Sequence, residues 1–190
     1  MKIAITGGIG SGKSYICSML KEYGVGIYDC DSAAKRIMRE DYKVKSRLIE
    51  LIGLEAYDNG NLNKPVIASF LLASEENANK VNSIVHPAVA SDFLNSGRSF
   101  MECAILFSSG FDSLVDKVIC ITAPEEMRAE RVMRRDGISR DKALKWIACQ
   151  MSQSEMALRS DYTIYNDGSS DLRSRVEKIL RELNVINKNN

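Results

Sequence analysis

Near the amino terminus, Gly7-Gly8-Ile9-Gly10-Ser11-Gly12-Lys13-Ser14 carries the spacing Gly-x-x-x-x-Gly-Lys-Ser, directly after the apolar run Ile3-Ala4-Ile5-Thr6. Glycines open backbone conformations closed to other residues, so successive N–H groups can turn inward and cradle an anion. Lys13 adds a mobile positive charge. Ser14 offers a hydroxyl where a magnesium ion bridging phosphates would sit, and a helix beginning near Gly12 aims its positive end at the same anion. Strand, loop and helix in this order describe a site for a nucleoside triphosphate.

A triphosphate site leaves the acceptor open. Asp29 and Asp31 follow a second short apolar run, Val25-Gly26-Ile27-Tyr28, and so stand at the carboxyl edge of a sheet, where open α/β sheets bind ligands. A carboxylate there can orient an acceptor hydroxyl and take its proton. The same pair could instead cap the helix that starts near Ser32. Arg128, Arg131, Arg134, Arg135 and Arg140 form a second group. They read either as a solvated basic helix face or as a lid whose arginines meet charge on a transferred phosphoryl group; Arg131 and Arg135, four apart, share one face beside a hinge at Gly137. His86, the only histidine, precedes Pro87 and reads more readily as structural. Glu102 lies in an apolar strand, where burial calls for a cation or a metal-bound water unless the position is exposed. Trp146 is expected in the core or between lid and body. Asn166-Asp167-Gly168 is a turn that could touch a nucleotide base, although such turns are common.

The elements that must hold these groups alternate. After the loop, Ile16, Met19, Leu20 and Tyr23 keep the spacing of one helix face up to Gly24. Helices are expected over 32–39 and 42–52, a loop over 57–63, and helices from Lys64 to about Asn95, with Pro65 near a start and His86-Pro87 interrupting or restarting the second piece. Ser99 to Phe107 and Lys117 to Thr122 read as buried parallel strands. Pro124 opens a helix, Ser139 begins another that runs to about Met151, Tyr162 to Tyr165 is the last strand, and 171–183 closes as an amphipathic helix before a frayed polar tail, Asn187 to Asn190. The pattern predicts an α/β fold, a doubly wound parallel sheet around the phosphate loop, with a helical insertion and an arginine-bearing helical segment that could serve as a lid. Residues 1–62, 96–123 and 160–190 would form the core, 63–95 the insertion and 124–159 the lid.

With 190 residues and a formal net charge of +1, the chain suits one domain with appendages and advertises neither nucleic acid nor an anionic membrane as partner. The five cysteines are scattered without Cys-x-x-Cys spacing, which suggests reduced thiols. No run approaches the roughly 20 apolar residues of a membrane span, and no charged and apolar leader precedes the first strand. A cytoplasmic protein, monomeric or weakly associating, is expected.

Along nearly its whole length the chain resembles the dephospho-coenzyme A kinase family. The resemblance rests on Thr6 to Ser14, on Asp29-Cys30-Asp31 with Ala34, on His86-Pro87, on Arg131 with Arg135-Asp136-Gly137, on Gln150-Met151, and on the segment from Ile164 to Gly168. It implies that the sheet is a phosphate-loop kinase core, the insertion a substrate-binding piece and the arginine helix a lid, with ATP and Mg2+ as cofactors and dephospho-coenzyme A as the small-molecule substrate. It further implies that Asp31 rather than Asp29 is the base, with Lys13, Arg131 and Arg135 catalytic. Gly8, Gly10, Ser11, Gly12, Lys13, Ser14, Tyr15 and Asn166 would hold the nucleotide, Ser14 the metal, and Thr6, Asp31 and His86 the substrate. Three departures stand out: Tyr15 where the family often has Thr, Ser108 where a Glu is frequent, and Cys30 in place of Ala. Another small-metabolite kinase, such as a nucleoside monophosphate kinase, is the nearest alternative. A regulatory NTPase is less well supported, since neither a guanine-reading Asn-Lys-x-Asp nor a sizeable basic stripe is found.

Overall fold

In a computed structural model, residues 1–168 and 171–186 are described; the tail 187–190 lies outside them. The chain divides into two compact units, Met1–Ile27 with Arg98–Asn190, and Tyr28–Gly97.

The first unit carries strands β1 (Ile3–Thr6), β5 (Phe100–Glu102), β6 (Lys117–Thr122) and β7 (Tyr162–Tyr165), and helices α1 (Lys13–Glu22), α6 (Glu125–Asp136), α7 (Arg140–Ala148), α8 (Gln153–Leu158) and α9 (Leu172–Glu182). Strand β2 (Ile27–Asp29), where the chain passes from one unit to the next, stands at the edge of the sheet order β2-β5-β1-β6-β7. Pairing of β1 with β5 and β6, and of β6 with β7, is parallel throughout. Alternation along β1 and β6 puts Ile3, Ile5, Ile119 and Ile121 on one face. There they join Ile16 and Leu20 of α1 and Val176, Ile179 and Leu180 of α9 in one core. Burying each such side chain contributes about 1.5–3 kcal/mol, so α1 is anchored immediately behind the loop that feeds it. The parallel sheet flanked by helices is the expected fold class.

Within the second unit, α2 (Cys30–Glu40), α3 (Tyr42–Ile52), α4 (Lys64–Ala73) and α5 (Glu75–Asn95) pack around α5, with a hairpin of β3 (Tyr57–Asp58) and β4 (Asn61–Leu62). Tyr28 stacks at a tilt on Phe93 with centroids 5.3 Å apart and donates to Asp92, which also binds Arg36 at 2.6 Å.

Several elements differ from expectation. The strand expected over Ser99 to Phe107 ends at Glu102. The N–H of Cys103 still bonds the Ile5 carbonyl, but Ser109 N–H and Phe111 N–H turn back to Ile105 and Leu106, so the apolar run forms turns that bury Leu106 and leave Ile105 exposed. The loop expected over 57–63 contains a hairpin; Asn59 and Gly60 both have positive φ (46° and 81°), and Asn-Gly is the dipeptide such a turn favours. The helical break lies at Ser74, whose hydroxyl caps α5 by accepting from Asn77 N–H, and α5 runs unbroken through Pro87. Proline removes only one helical bond, and Val85, Val89 and Phe93 hold both sides of it in the core. The helix begun at Ser139 stops at Ala148, and a further helix, α8, follows. Trp146 is not core: it is exposed, with Lys142 Nζ 5.4 Å above its ring.

Candidate active site

The loop between β1 and α1 wraps tightly. Gly10 and Gly12 have φ of 78° and 97°, and a side chain at Gly12 would strike the Asn166 amide. Only glycine satisfies both the left-handed backbone and that close approach. Lys13 folds back over the loop, its Nζ donating to the Gly7 carbonyl at 2.8 Å and to Gly8 at 3.3 Å. Burial holds its pKa below the usual lysine value, opposed by the nearby carboxylate of Glu102. Glu102, opposite Ile5 in the parallel register, is therefore half-buried close to a cation, one of its expected environments. Thr6 and Ser11 are fully buried, and their hydroxyls make no hydrogen bond.

Helix α6 faces this loop. Pro124 and the first-turn Glu125 and Glu126 start it as the sequence predicts. Arg131 Nη1 donates to the carbonyls of Gly10 at 3.2 Å and Ser11 at 3.4 Å, and its Nη2 to Asn166 Oδ1 at 3.2 Å. Asn166, buried just past β7, is pinned by its own N–H to the Thr122 carbonyl at 2.7 Å and returns Nδ2 to Ser11 O at 2.9 Å. Arg135 is turned elsewhere: it is exposed and chelates the Asp136 carboxylate next to it at 2.9 and 2.7 Å. Beside the loop, Gly12, Tyr15, Met19, Arg131, Arg134 and Asn166 line part of a cavity of about 550 Å³. Its mix of an aromatic ring, apolar edges and arginines suits a nucleoside with charged phosphates.

Ser14, in the first turn of α1, is exposed. Among the described residues no cluster of three or more His, Cys, Asp or Glu could hold a metal by itself. A magnesium ion that arrives on phosphates needs few protein ligands and prefers hard oxygen donors, which the Ser14 hydroxyl supplies.

In the second unit, the carboxylates of Asp29 and Asp31 have separate surroundings. Asp29 is the N-cap of α2, with Oδ1 accepting from the N–H groups of Asp31 and Ser32 at 3.0 Å each. Asp31, in the first helical turn, is exposed and meets Lys35 at 3.2 Å. The capping alternative thus falls to Asp29 and leaves Asp31 clear of it. His86 is half-buried on α5, and burial lowers its pKa.

Two residues next to the loop were not singled out from sequence as site residues. Arg128 is buried and donates from Nε to Ile9 O at 2.9 Å, and Gln150 Oε1 accepts from Ile9 N–H at 2.7 Å. The signal for Arg128 was present in the helical period, since it precedes Arg131 by three residues and so shares its face.

A family model described as dephospho-CoA kinase matches residues 1–171. The chain belongs to that family. As a member of the dephospho-CoA kinase family it is a kinase of the phosphate-loop class. The dephospho-CoA kinase of Bacteroides fragilis is 38% identical over 188 residues, covering 95% of this chain and 91% of its own length. That of Porphyromonas gingivalis is 39% identical over 185 residues, covering 94% and 92%. Among solved structures, TT1252 from Thermus thermophilus superposes with a TM-score of 0.83 at 30% identity, over 96% of this chain and 97% of that one. The fold is also shared with dephospho-CoA kinase from Campylobacter jejuni, at a TM-score of 0.69 and 22% identity over 96% and 98% of the two chains.

Proposed function

We propose that the chain transfers the γ-phosphate of ATP to the ribose 3'-hydroxyl of dephospho-CoA, giving ADP and coenzyme A. The observation that carries this reading is the family match over 1–171 in a chain whose glycine loop, lysine and arginine helix are assembled as a phosphate site. In the reaction the acceptor oxygen bonds to the γ-phosphorus, the bond to the β,γ-bridging oxygen breaks, and the hydroxyl proton passes to a base.

Asp31 is that base and orients the hydroxyl, a role supported by its exposure and its freedom from the capping work of Asp29. Loop N–H groups and Lys13 neutralise the phosphates. Arg131 answers the negative charge that spreads over the transferred group in a loose, in-line transition state. Ser14 would hold Mg2+, which would supply a hard positive charge to the phosphates. Gly8, Gly10, Ser11, Gly12, Tyr15 and Asn166 surround the nucleotide, and Thr6 and His86 serve the acceptor side. Residues 124–159 act as the lid and 63–95 as the acceptor's helical piece. Since Arg128 and Arg131 tie the first half of α6 to the loop, lid motion would be confined to the segment beyond them. Arg135 would join the site only by leaving Asp136.

A cytoplasmic enzyme, monomeric or weakly associating and without nucleic-acid or membrane partners, belongs to the same proposal; no helix among the described residues is long and apolar enough to cross a membrane. Nothing in the family match favours a nucleoside monophosphate as acceptor. A coupled ADP-release assay over a panel of dephospho-CoA, AMP, CMP and acceptor-free controls tests the reading. ADP release should depend on dephospho-CoA. Turnover with a nucleoside monophosphate alone, or equal turnover without acceptor, would reject it.

A further inference from the structure

We infer that Arg128 and Gln150 are positioning residues for the phosphate loop, and that they act by fixing the orientation of two successive peptide groups on either side of Ile9. The inference rests on the reading of this loop as the ATP site.

In a trans peptide the carbonyl and the following N–H point in opposite directions, and the described chain has no cis peptide. Anchoring one end of a peptide group therefore aims the other. Gln150 Oε1 takes the Ile9 N–H at 2.7 Å. The carbonyl of the same peptide, that of Gly8, then points to the opposite side, where Lys13 Nζ donates to it at 3.3 Å and Ser11 N–H at 3.2 Å. Arg128 Nε takes the Ile9 carbonyl at 2.9 Å, which directs the N–H of Gly10 away from α6. Arg131 and Asn166 continue the pattern by holding the carbonyls of Gly10 and Ser11; this turns the N–H of Ser11 back to the Gly8 carbonyl and directs the N–H of Gly12 away from these partners. The amides left for an anion, those of Gly10 and Gly12, are thus set from outside by side chains of α6 and of the turn after β7, while Gln150, in the segment after α7, fixes the peptide before them.

Packing makes this arrangement specific. A side chain at Gly8 would strike the Arg128 guanidinium and approach Gln150 Oε1 to 3.4 Å, and one at Gly10 would meet the Arg128 carbonyl at 2.6 Å. Arg128 is only 4% exposed. A guanidinium buried to that degree is costly unless its donors are used, and Nε spends its donor on the loop, at Ile9 O. Ile9 itself packs on the cluster of Ala129, Val132, Ala143 and Ile147, so the anchored peptides rest on a fixed surface.

Calorimetric titration of the full chain with ATP and Mg2+, without acceptor, tests this in Arg128→Met, Gln150→Met and Gln150→Glu, alongside melting curves and steady-state kinetics. Loss of a hydrogen bond to a charged or buried group predicts an ATP Kd raised about tenfold in Arg128→Met and in Gln150→Met, with the KM for dephospho-CoA changed by less than about twofold. Gln150→Glu keeps an acceptor and should recover most of the ATP affinity. Lowered melting temperature with unchanged ATP Kd would mean a purely structural role and would overturn the inference. If Arg128→Met does not fold, Arg128→Lys and Gln150→Met carry the test, and an unchanged Kd in both would overturn it. Failure of the proposed acceptor would appear separately, as wild-type protein that binds ATP yet does not phosphorylate dephospho-CoA.

Discussion

The Arg131 guanidinium donates to Asn166 Oδ1 at 3.2 Å while Asn166 Nδ2 donates to the Ser11 carbonyl at 2.9 Å, so two residues 35 positions apart close a ring around the phosphate loop. Arg131 also reaches the Gly10 and Ser11 carbonyls directly. An arginine held this way is preorganised: it need not be recruited from solvent when charge develops on a phosphoryl group.

Replacing Arg131 by Ala should therefore lower kcat/KM for ATP by about 100-fold or more, the scale of losing a charged donor in a transition state. Asn166→Ala should lower it by about tenfold through loss of the bracing bonds. Arg135→Ala, which removes a residue now paired with Asp136, should lower kcat more than ATP affinity if the lid closes. Single-turnover kinetics with ATP and dephospho-CoA separate these three variants.

Gly12→Ala forces a side chain into a left-handed backbone and against the Asn166 amide. Strain of about 1–3 kcal/mol is expected in the folded state, together with loss of detectable ATP binding. Chemical denaturation and calorimetry on the same sample read both.

The two carboxylates of α2 should separate stability from activity. Asp29→Ala removes the cap and should destabilise the protein by about 1 kcal/mol. Asp31→Asn should leave the melting temperature unchanged and lower turnover by a factor of about 100 or more, in keeping with loss of a general base. Full activity in Asp31→Asn would remove it as the base.

Asp161 gives a pH signature. Burial works to raise its pKa, but the bonds from Lys117 Nζ at 2.6 Å and Val118 N–H at 2.8 Å outweigh it and hold the carboxyl below the usual value of 3.8. A carboxyl depressed in the fold stabilises it fully above the ordinary value, and the contribution is lost as pH falls through the lower folded value. Asp161→Asn should cost on the order of 1 kcal/mol at neutral pH, discounted for partial exposure, and the difference from wild type should vanish in strong acid. Urea unfolding at several pH values between neutral and acid measures it.

Local chemistry was legible where a residue acts through its own backbone neighbours. The glycine spacing fixed the loop, Pro124 and the early glutamates started α6, Ser139 and Asp171 stood at the starts of their helices, and continuous apolar runs marked β1 and β6. Misreadings arose where short apolar runs carry no period long enough to separate strand from turn. Ala104 to Phe107 looks like a buried strand, yet the ladder ends when Cys103 makes its bond to Ile5. Trp146 looks like core by composition, yet its ring faces Lys142.

The sequence by itself determined the strand-loop-helix phosphate site, the alternating parallel architecture and the family, because these depend on local spacing and on motif order along the chain. Tertiary structure alone decided which carboxylate caps α2, which arginines of α6 meet the loop, and that Arg128 and Gln150 hold Ile9 from opposite ends. Gln150 lies 141 positions from Ile9, and no local rule of propensity or spacing reaches that far. Such pairs are set by how the sheet and helices pack, which brings distant backbone groups within hydrogen-bonding range.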